Sequence, residues 1–231
     1  MRPGVLRRVL RWPVRIVLWL VVGAVVWVLA YRVIDPPGGI YLAREWIRLG
    51  GVARDWRDLD GISPYLARSV VAAEDARFCA HWGIDVEAVA DAVEANANGR
   101  RLRGGSTITQ QVAKNVFLWH GRSWVRKGLE AGFALLIETT WPKWRILEVY
   151  LNVVEFDAGV FGAEAAAQHY FKRPADKLTE TQAARLAAVL PDPKRRDPTR
   201  ATSYMARRGA SIVSGARTME AEGRDRCFMV N

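Results

Sequence analysis

The 231 residues are half apolar and carry a formal net charge of +10, enough chain for one substantial domain plus an appendage. Five of the 34 basic residues, Arg2, Arg7, Arg8, Arg11 and Arg15, crowd into the first fifteen positions with no acid among them; the remaining excess is too modest and too dispersed for a nucleic-acid surface and suits an anionic ligand or a lipid surface. Two cysteines, Cys79 and Cys227, and three histidines, His81, His120 and His169, show neither a disulfide framework nor metal-ligand spacing, so two free thiols are the expectation and a single bridge the alternative.

From Val14 to Ile34 the chain is apolar except for Arg15 and Arg32 near the ends, where long side chains reach back to the interface. Twenty-one helical residues span roughly 31 Å, about the thickness of a hydrocarbon core. This predicts a membrane anchor over 14–34, with Trp12, Trp19, Trp27 and Tyr31 as aromatic belts. The basic segment 1–15 places the N-terminus in the cytoplasm and the rest on the far side. A cleaved signal peptide is the competing reading, but the apolar run is long for one and no small-x-small site follows it.

Asp35-Pro-Pro-Gly-Gly breaks the helix and makes a short linker, and 35–60 reads as linker and start of the catalytic region. Ser63-Pro64 starts a helix expected to run to about Ala80, with Leu66, Val70 and Ala73 as its apolar stripe. Glu74 lies on or beside that stripe, where a carboxylate is costly unless paired or used; Phe78 and His81 are expected to continue the same side. Asp85 can cap a second helix to about Glu94, and 96–103 reads as a polar, basic loop.

Gly104 and Gly105 then permit close backbone approach. Thr107 with Gln110 has capping-box spacing, so a helix mouth with free N–H groups, attractive to anions, is expected there. Lys114 lies one turn beyond Gln110 and Gln111.

Ser123 can cap a helix whose first turns carry Arg126, Lys127 and Glu130; its continuation over 131–137 is apolar all round and predicts a central buried helix. Cations at a helix start are unfavourable to its dipole, so Arg122, Arg126 and Lys127 call for an external anion. Pro142 precedes a helix over 143–154, within which Glu148 and Asn152 read as structural braces. A loop over 157–162, a small-residue helix over 163–171, a capping box at Thr179 and Gln182, and a basic helix over 204–222 complete a mostly α chain without repeats.

Two glutamates suggest glycosidic chemistry, whereas the cations Lys114, Arg122, Arg126 and Lys127 suggest a phosphorylated substrate. One scheme uses both, a sugar with a pyrophosphate leaving group transferred to another sugar's hydroxyl. Cations neutralise the departing charge, and a single carboxylate acts as base.

Here the residues resemble a known family. Ala73-Glu-Asp-Ala-Arg-Phe78 with His81 and Gly83, Gly104-Gly-Ser-Thr-Ile-Thr-Gln-Gln111 with Lys114-Asn115, Arg126-Lys127-x-x-Glu130, Ile146-Leu-Glu-x-Tyr-Leu-Asn152 and Gly162-Ala-Glu-Ala-Ala-Ala-x-x-Tyr-Phe171 are similar, in order and spacing, to the five motifs of the peptidoglycan glycosyltransferases. These membrane-bound enzymes polymerise lipid II and occur alone or as the first domain of class A penicillin-binding proteins. The resemblance runs from about Ile62 to Pro198 and implies the monofunctional form. Asp157 and Cys79 depart from the common pattern, which bears on local loop shape.

The resemblance implies a lysozyme-like helical domain over 61–200 with a small membrane-facing lobe, followed by a C-terminal helix and tail over 201–231. Glu74 would be the general base on the acceptor hydroxyl. Glu130 would lie near the donor pyrophosphate, with a divalent cation such as Mg2+ as one bridge between them. Lys114, Arg122, Arg126 and Lys127 would bind the pyrophosphate, and Ser106, Thr107, Gln110 and Gln111 would shape the donor site. Expected partners are lipid II, the growing lipid-linked glycan, the membrane and other cell-wall synthesis proteins, with no nucleic acid and no organic cofactor. The expected location is the bacterial cytoplasmic membrane, with the catalytic domain periplasmic. A glycan hydrolase and a non-catalytic lipid II scaffold are the competing readings.

Overall fold

The computed structural model describes residues 3–97, 105–121 and 123–229. The chain divides into two units, 1–35 and 36–231.

The first unit is one helix, α1 (Pro3–Tyr31). Its segment Trp12–Tyr31 has a mean hydropathy of 2.3 and is, among the described residues, the one helix long and apolar enough to cross a membrane. It stops just short of the predicted Ile34: the amides of Arg32 and Ile34 close onto the Val28 and Ala30 carbonyls. The prolines that follow Asp35 disfavour further helix.

The second unit is helical around a three-stranded sheet. Its elements are α2 (Ile40–Leu49), β1 (Ala53–Arg54), α3 (Pro64–Glu74), α4 (Val86–Ala97), α5 (Ile108–Val112), α6 (Trp124–Thr140), α7 (Lys143–Val153), β2 (Glu155–Asp157), β3 (Val160–Phe161), α8 (Ala163–Phe171), α9 (Glu180–Val189) and α10 (Ser203–Ala221). Short 3-10 turns precede α3 and α9, and α5 runs directly into a π-helical segment, Ala113–Phe117. The sheet order is β1-β3-β2, with β3 parallel to β1 and antiparallel to β2. The predicted loop over 157–162 is thus a hairpin, too short for period-two alternation to announce it.

Two packed groups make the core. One is α3 with α9 and α10, the other α5 with α6, α7 and the π segment. The central helix is α7, buried from Arg145 through Val153, and its polar residues brace the neighbouring chain as predicted. Glu148 Oε2 accepts from the Leu59 amide at 2.8 Å. Asn152 accepts from the Arg57 amide at 2.9 Å and donates to the Arg57 carbonyl at 2.8 Å.

Three further expectations are corrected. Helix α6 is not a central buried helix: it buries Glu130, Ala134, Ile137 and Glu138 on one stripe and leaves Leu129 and Leu135 exposed. Its acids Glu130 and Glu138 therefore face the protein beside Ala134 and Ile137, while Leu129 and Leu135 face outward. Helix α3 ends at Glu74, not at Ala80, because Asp75 leaves helical geometry and turns its carboxylate onto the Ile108 amide. Finally, Cys79 and Cys227 form a disulfide, a pairing across 148 residues that spacing cannot reveal.

Candidate active site

Glu74 is the last residue of α3. Its Oε2 accepts a hydrogen bond from Gln111 Nε2 at 2.9 Å, and Gln111 Oε1 accepts one from the Tyr150 hydroxyl at 3.2 Å. Tyr150 is fully buried in α7, so the chain of bonds anchors the carboxylate to the centre of the fold. Arg208 of α10 donates to the Ala73 carbonyl at 3.0 Å. Burial pushes the Glu74 carboxyl above its ordinary value; the Gln111 hydrogen bond and the positive charges of Arg208 and Lys114 oppose that shift without cancelling it.

The turn after Glu74 fixes the second element of the site. Asp75 Oδ2 accepts from the Ile108 amide at 3.0 Å, and its Oδ1 lies 2.9 Å from His81 Nε2. Thr107 Oγ1 donates to the Gly83 carbonyl at 2.6 Å. Gly83 has φ +80, and a Cβ there would meet the Ala134 carbonyl oxygen of α6 at 2.9 Å, so only glycine allows this approach.

The predicted capping box at Thr107 and Gln110 is present. The anion-binding mouth expected there is not free: Thr107 N donates to Gln110 Oε1, Ile108 N to Asp75, and Gln110 N to Thr107 Oγ1. The protein's own carboxylate holds the place assigned to a substrate anion. Thr107 and Gln110 are buried and hold the loop through these bonds. Gly105 has ordinary φ and room for a Cβ, the nearest atom lying at 3.5 Å. Gly104 and Arg122 lie outside the described residues.

Cations gather one turn further on. Lys114 is on the π-helical segment, a geometry frequent at functional sites. No hydrogen bond or ion pair to a described residue engages its ammonium, and burial lowers its pKa; Glu130 raises it, Arg126 and Lys127 lower it, and Glu74 raises it. Lys114 is thus within electrostatic reach of both glutamates. At the start of α6, Glu130 is 3% exposed and accepts from both Arg126 and Lys127. Arg126 also donates to the Gly121 carbonyl at 2.9 Å, and Lys127 to Ser106 Oγ at 3.1 Å. Ser106, Lys114, Arg126, Lys127 and Glu130 are therefore brought together as the sequence suggested.

A cavity of about 330 Å³ opens beside this group. Gln111, Lys114, Asn115, His120, Tyr41 and Lys194 are among its lining residues. His120 stacks on Tyr41, the ring centroids 3.8 Å apart, and partial burial together with Lys114 and Arg126 holds its pKa down at about 4.

Residues 44–217 match the family model described as Transglycosylase. The chain belongs to the transglycosylase family. Three curated relatives, each named biosynthetic peptidoglycan transglycosylase, extend the likeness along almost the whole chain. The protein of Jannaschia sp. (strain CCS1) is 54% identical over 94% of this chain and 90% of its own. That of Xanthomonas campestris pv. campestris (strain B100) is 50% identical over 94% and 91%, and that of Rhodospirillum centenum (strain ATCC 51521 / SW) is 48% identical over 99% and 98%.

In this transglycosylase the matched span contains both glutamates and every described cation of the site. Sequence reasoning assigned no site role to Tyr150, although it lies in the fourth motif, nor to Arg208, which lies outside all five and carries no local signal. The Glu130 group does not suit a divalent cation: both carboxylate oxygens are taken by Arg126 and Lys127, and Lys114 adds further positive charge. Asp75, His81 and Asp85 bring possible ligand atoms within 4.8 Å of one another. Asp75 already holds Ile108 and His81, and Asp85 Oδ1 caps the Ala88 amide at 3.0 Å, so the cluster works as a structural hub.

Proposed function

We propose that this transglycosylase polymerises lipid II into β-1,4-linked glycan strands by inverting transfer, with release of undecaprenyl pyrophosphate. The observation that carries the reading is Lys114, a half-buried cation with no hydrogen bond or ion pair among the described residues, within electrostatic reach of the desolvated Glu74 and of the Arg126–Glu130–Lys127 clamp. Glu74 Oε2, oriented by Gln111, is the base that takes the acceptor 4-hydroxyl proton as the new C–O bond forms. Its raised pKa makes it a stronger base than an ordinary carboxylate. The electron pair of the breaking anomeric C–O bond leaves on the pyrophosphate, where Lys114, Arg126 and Lys127 stabilise the developing charge. Glu130 holds the last two cations in place. A leaving group that is already a stable anion needs no acid, so the second carboxylate is free for that orienting task.

Two features, each read within its own unit, support membrane association. Helix α1 is the single-pass anchor, with its arginine-rich start in the cytoplasm. In the second unit, Ile40, Trp46, Ile47 and Leu49 of α2 and Trp124, Val125, Leu129 and Leu135 of α6 are exposed, and both helices pack against the π segment that carries Lys114. We read these exposed residues as the membrane-facing lobe, with Lys114 on the segment both helices pack against. The Cys79–Cys227 disulfide suits an oxidising, extracytoplasmic compartment.

Purified full-length protein in detergent, given lipid II, is expected to make polymer. Glu74→Gln should abolish polymerisation while lipid II still binds. Shortening of finished glycan strands, with no polymer from lipid II, would overturn the proposal.

A further inference from the structure

Beyond the cavity next to Gln111 lies a second one, of about 470 Å³, between the β2–β3 hairpin, the end of α8 and the chain that follows α9. It falls within the roughly 300–1,000 Å³ of small-ligand pockets. Lys194 lines both cavities. Its ammonium is fixed, 3.1 Å from Glu45 Oε2 and 3.4 Å from Glu155 Oε1, so it forms a permanent step between the two spaces rather than a free ligand.

Past that step the lining turns cationic, with Arg195, Arg196 and Arg200 against Asp157 and Asp197. The two acids are already occupied. Asp197 accepts from the Thr199 amide at 2.8 Å and hydroxyl at 2.6 Å, and Asp157 lies 3.4 Å from His169 Nε2. Arg196 is engaged as well, donating to the Ala188 carbonyl and lying over the Tyr204 ring. Arg195 has no side-chain partner among the described residues, and Arg200 pairs with Asp197 at 3.4 Å through a side chain that stays 77% exposed. Two exposed guanidinium forks thus line a cavity that shares Lys194 with the one beside Gln111. A guanidinium fork matches a carboxylate bidentately.

Resting on the transferase reading above, we infer that this second cavity binds the free carboxylates of the peptide carried by the lipid-linked sugar substrate, with Arg195 and Arg200 as specificity residues. The pyrophosphate has its own cations at Lys114, Arg126 and Lys127. The remaining negative charge of such a substrate is on its peptide, which extends from the sugar by several bonds and so belongs one cavity away from the reacting atoms.

The test uses full-length protein in neutral phosphatidylcholine vesicles with two substrates, lipid II with free stem carboxylates and the same lipid with those carboxylates amidated. Arg195→Ala and Arg200→Ala are each expected to raise KM for the free acid about two- to fivefold, the scale of a partly exposed ion pair, with kcat unchanged and no effect on the amidated substrate. Arg195→Lys should recover part of the loss. Equal losses on both substrates, or none, would overturn the inference. So would a loss seen only when anionic lipid is added to the vesicles, which would assign the arginines to lipid headgroups. A second arm is independent of catalysis: soluble N-acetylmuramyl pentapeptide titrated calorimetrically onto the protein should bind, and bind more weakly to the double variant, even if the transferase reading itself fails. Absence of binding by the unmodified protein would count against the cavity alone.

Discussion

Burial acts in opposite directions on the two groups nearest the reacting atoms, raising the Glu74 carboxyl and lowering Lys114. The rate should therefore follow a bell in pH. Its acid limb should lie above the ordinary glutamate value near 4.3, and its alkaline limb below the ordinary lysine value near 10.4. A kcat/KM profile measured with lipid II checks this; an acid limb at or below the ordinary value would remove Glu74 as a desolvated base. The same shift has a stability consequence. A folded-state pKa above the unfolded one favours the protonated form, so the stabilisation is present below the unfolded pKa and lost as pH rises through the folded one. Glu74→Gln should thus melt higher than the unmodified protein at neutral pH, and the difference should vanish below about pH 4. Glu130→Gln behaves otherwise. It removes a buried partner of two cations, and kcat/KM should fall about 100-fold, the range for loss of an electrostatic transition-state contact.

Among the elements, α10 and its tail were legible only as a basic, weakly amphipathic helix, yet they stand directly behind the base. Arg208 reaches the Ala73 carbonyl, Arg68 of α3 pairs with Asp225 at 2.8 Å, Phe228 packs on Phe78, and Cys227 is bonded to Cys79 in the turn after Glu74. Replacing both cysteines with alanine should lower stability by about 2–5 kcal/mol, as loss of a long-loop disulfide does. Chemical denaturation with and without reductant measures it: reductant should destabilise the unmodified protein to the level of the variant and leave the variant unchanged. Helix α6 teaches the complementary lesson. An all-apolar run predicts a central helix, yet hydrophobicity in sequence does not say which apolar residues end up buried and which on the surface. Trp124→Ser with Leu129→Ser, both exposed, should leave the melting temperature within about 2 °C, given surface effects of about 0.5 kcal/mol. Co-sedimentation of residues 36–231 with vesicles should drop.

For the molecule as a whole, the composition, the arginine-rich start and the apolar run predicted a long apolar N-terminal helix followed by a helical domain, and both are present. The five motifs, by resemblance, gave the family. Periodicity and capping chemistry located most helices because those signals are local: the boxes at Thr107 and Thr179 and the caps at Ser123 and Asp85 all formed. The two glutamates and their cations were also within reach of the sequence, since charge beside an apolar stripe is costly wherever the chain goes. Tertiary structure decided the rest. It turned the helix mouth at Thr107 inward onto Asp75, gave the central position to α7 instead of α6, paired the cysteines across the chain, and moved Glu130 from candidate metal ligand to holder of Arg126 and Lys127. Each of these depends on which distant group comes to lie against a residue, and that is fixed by packing among elements far apart in sequence.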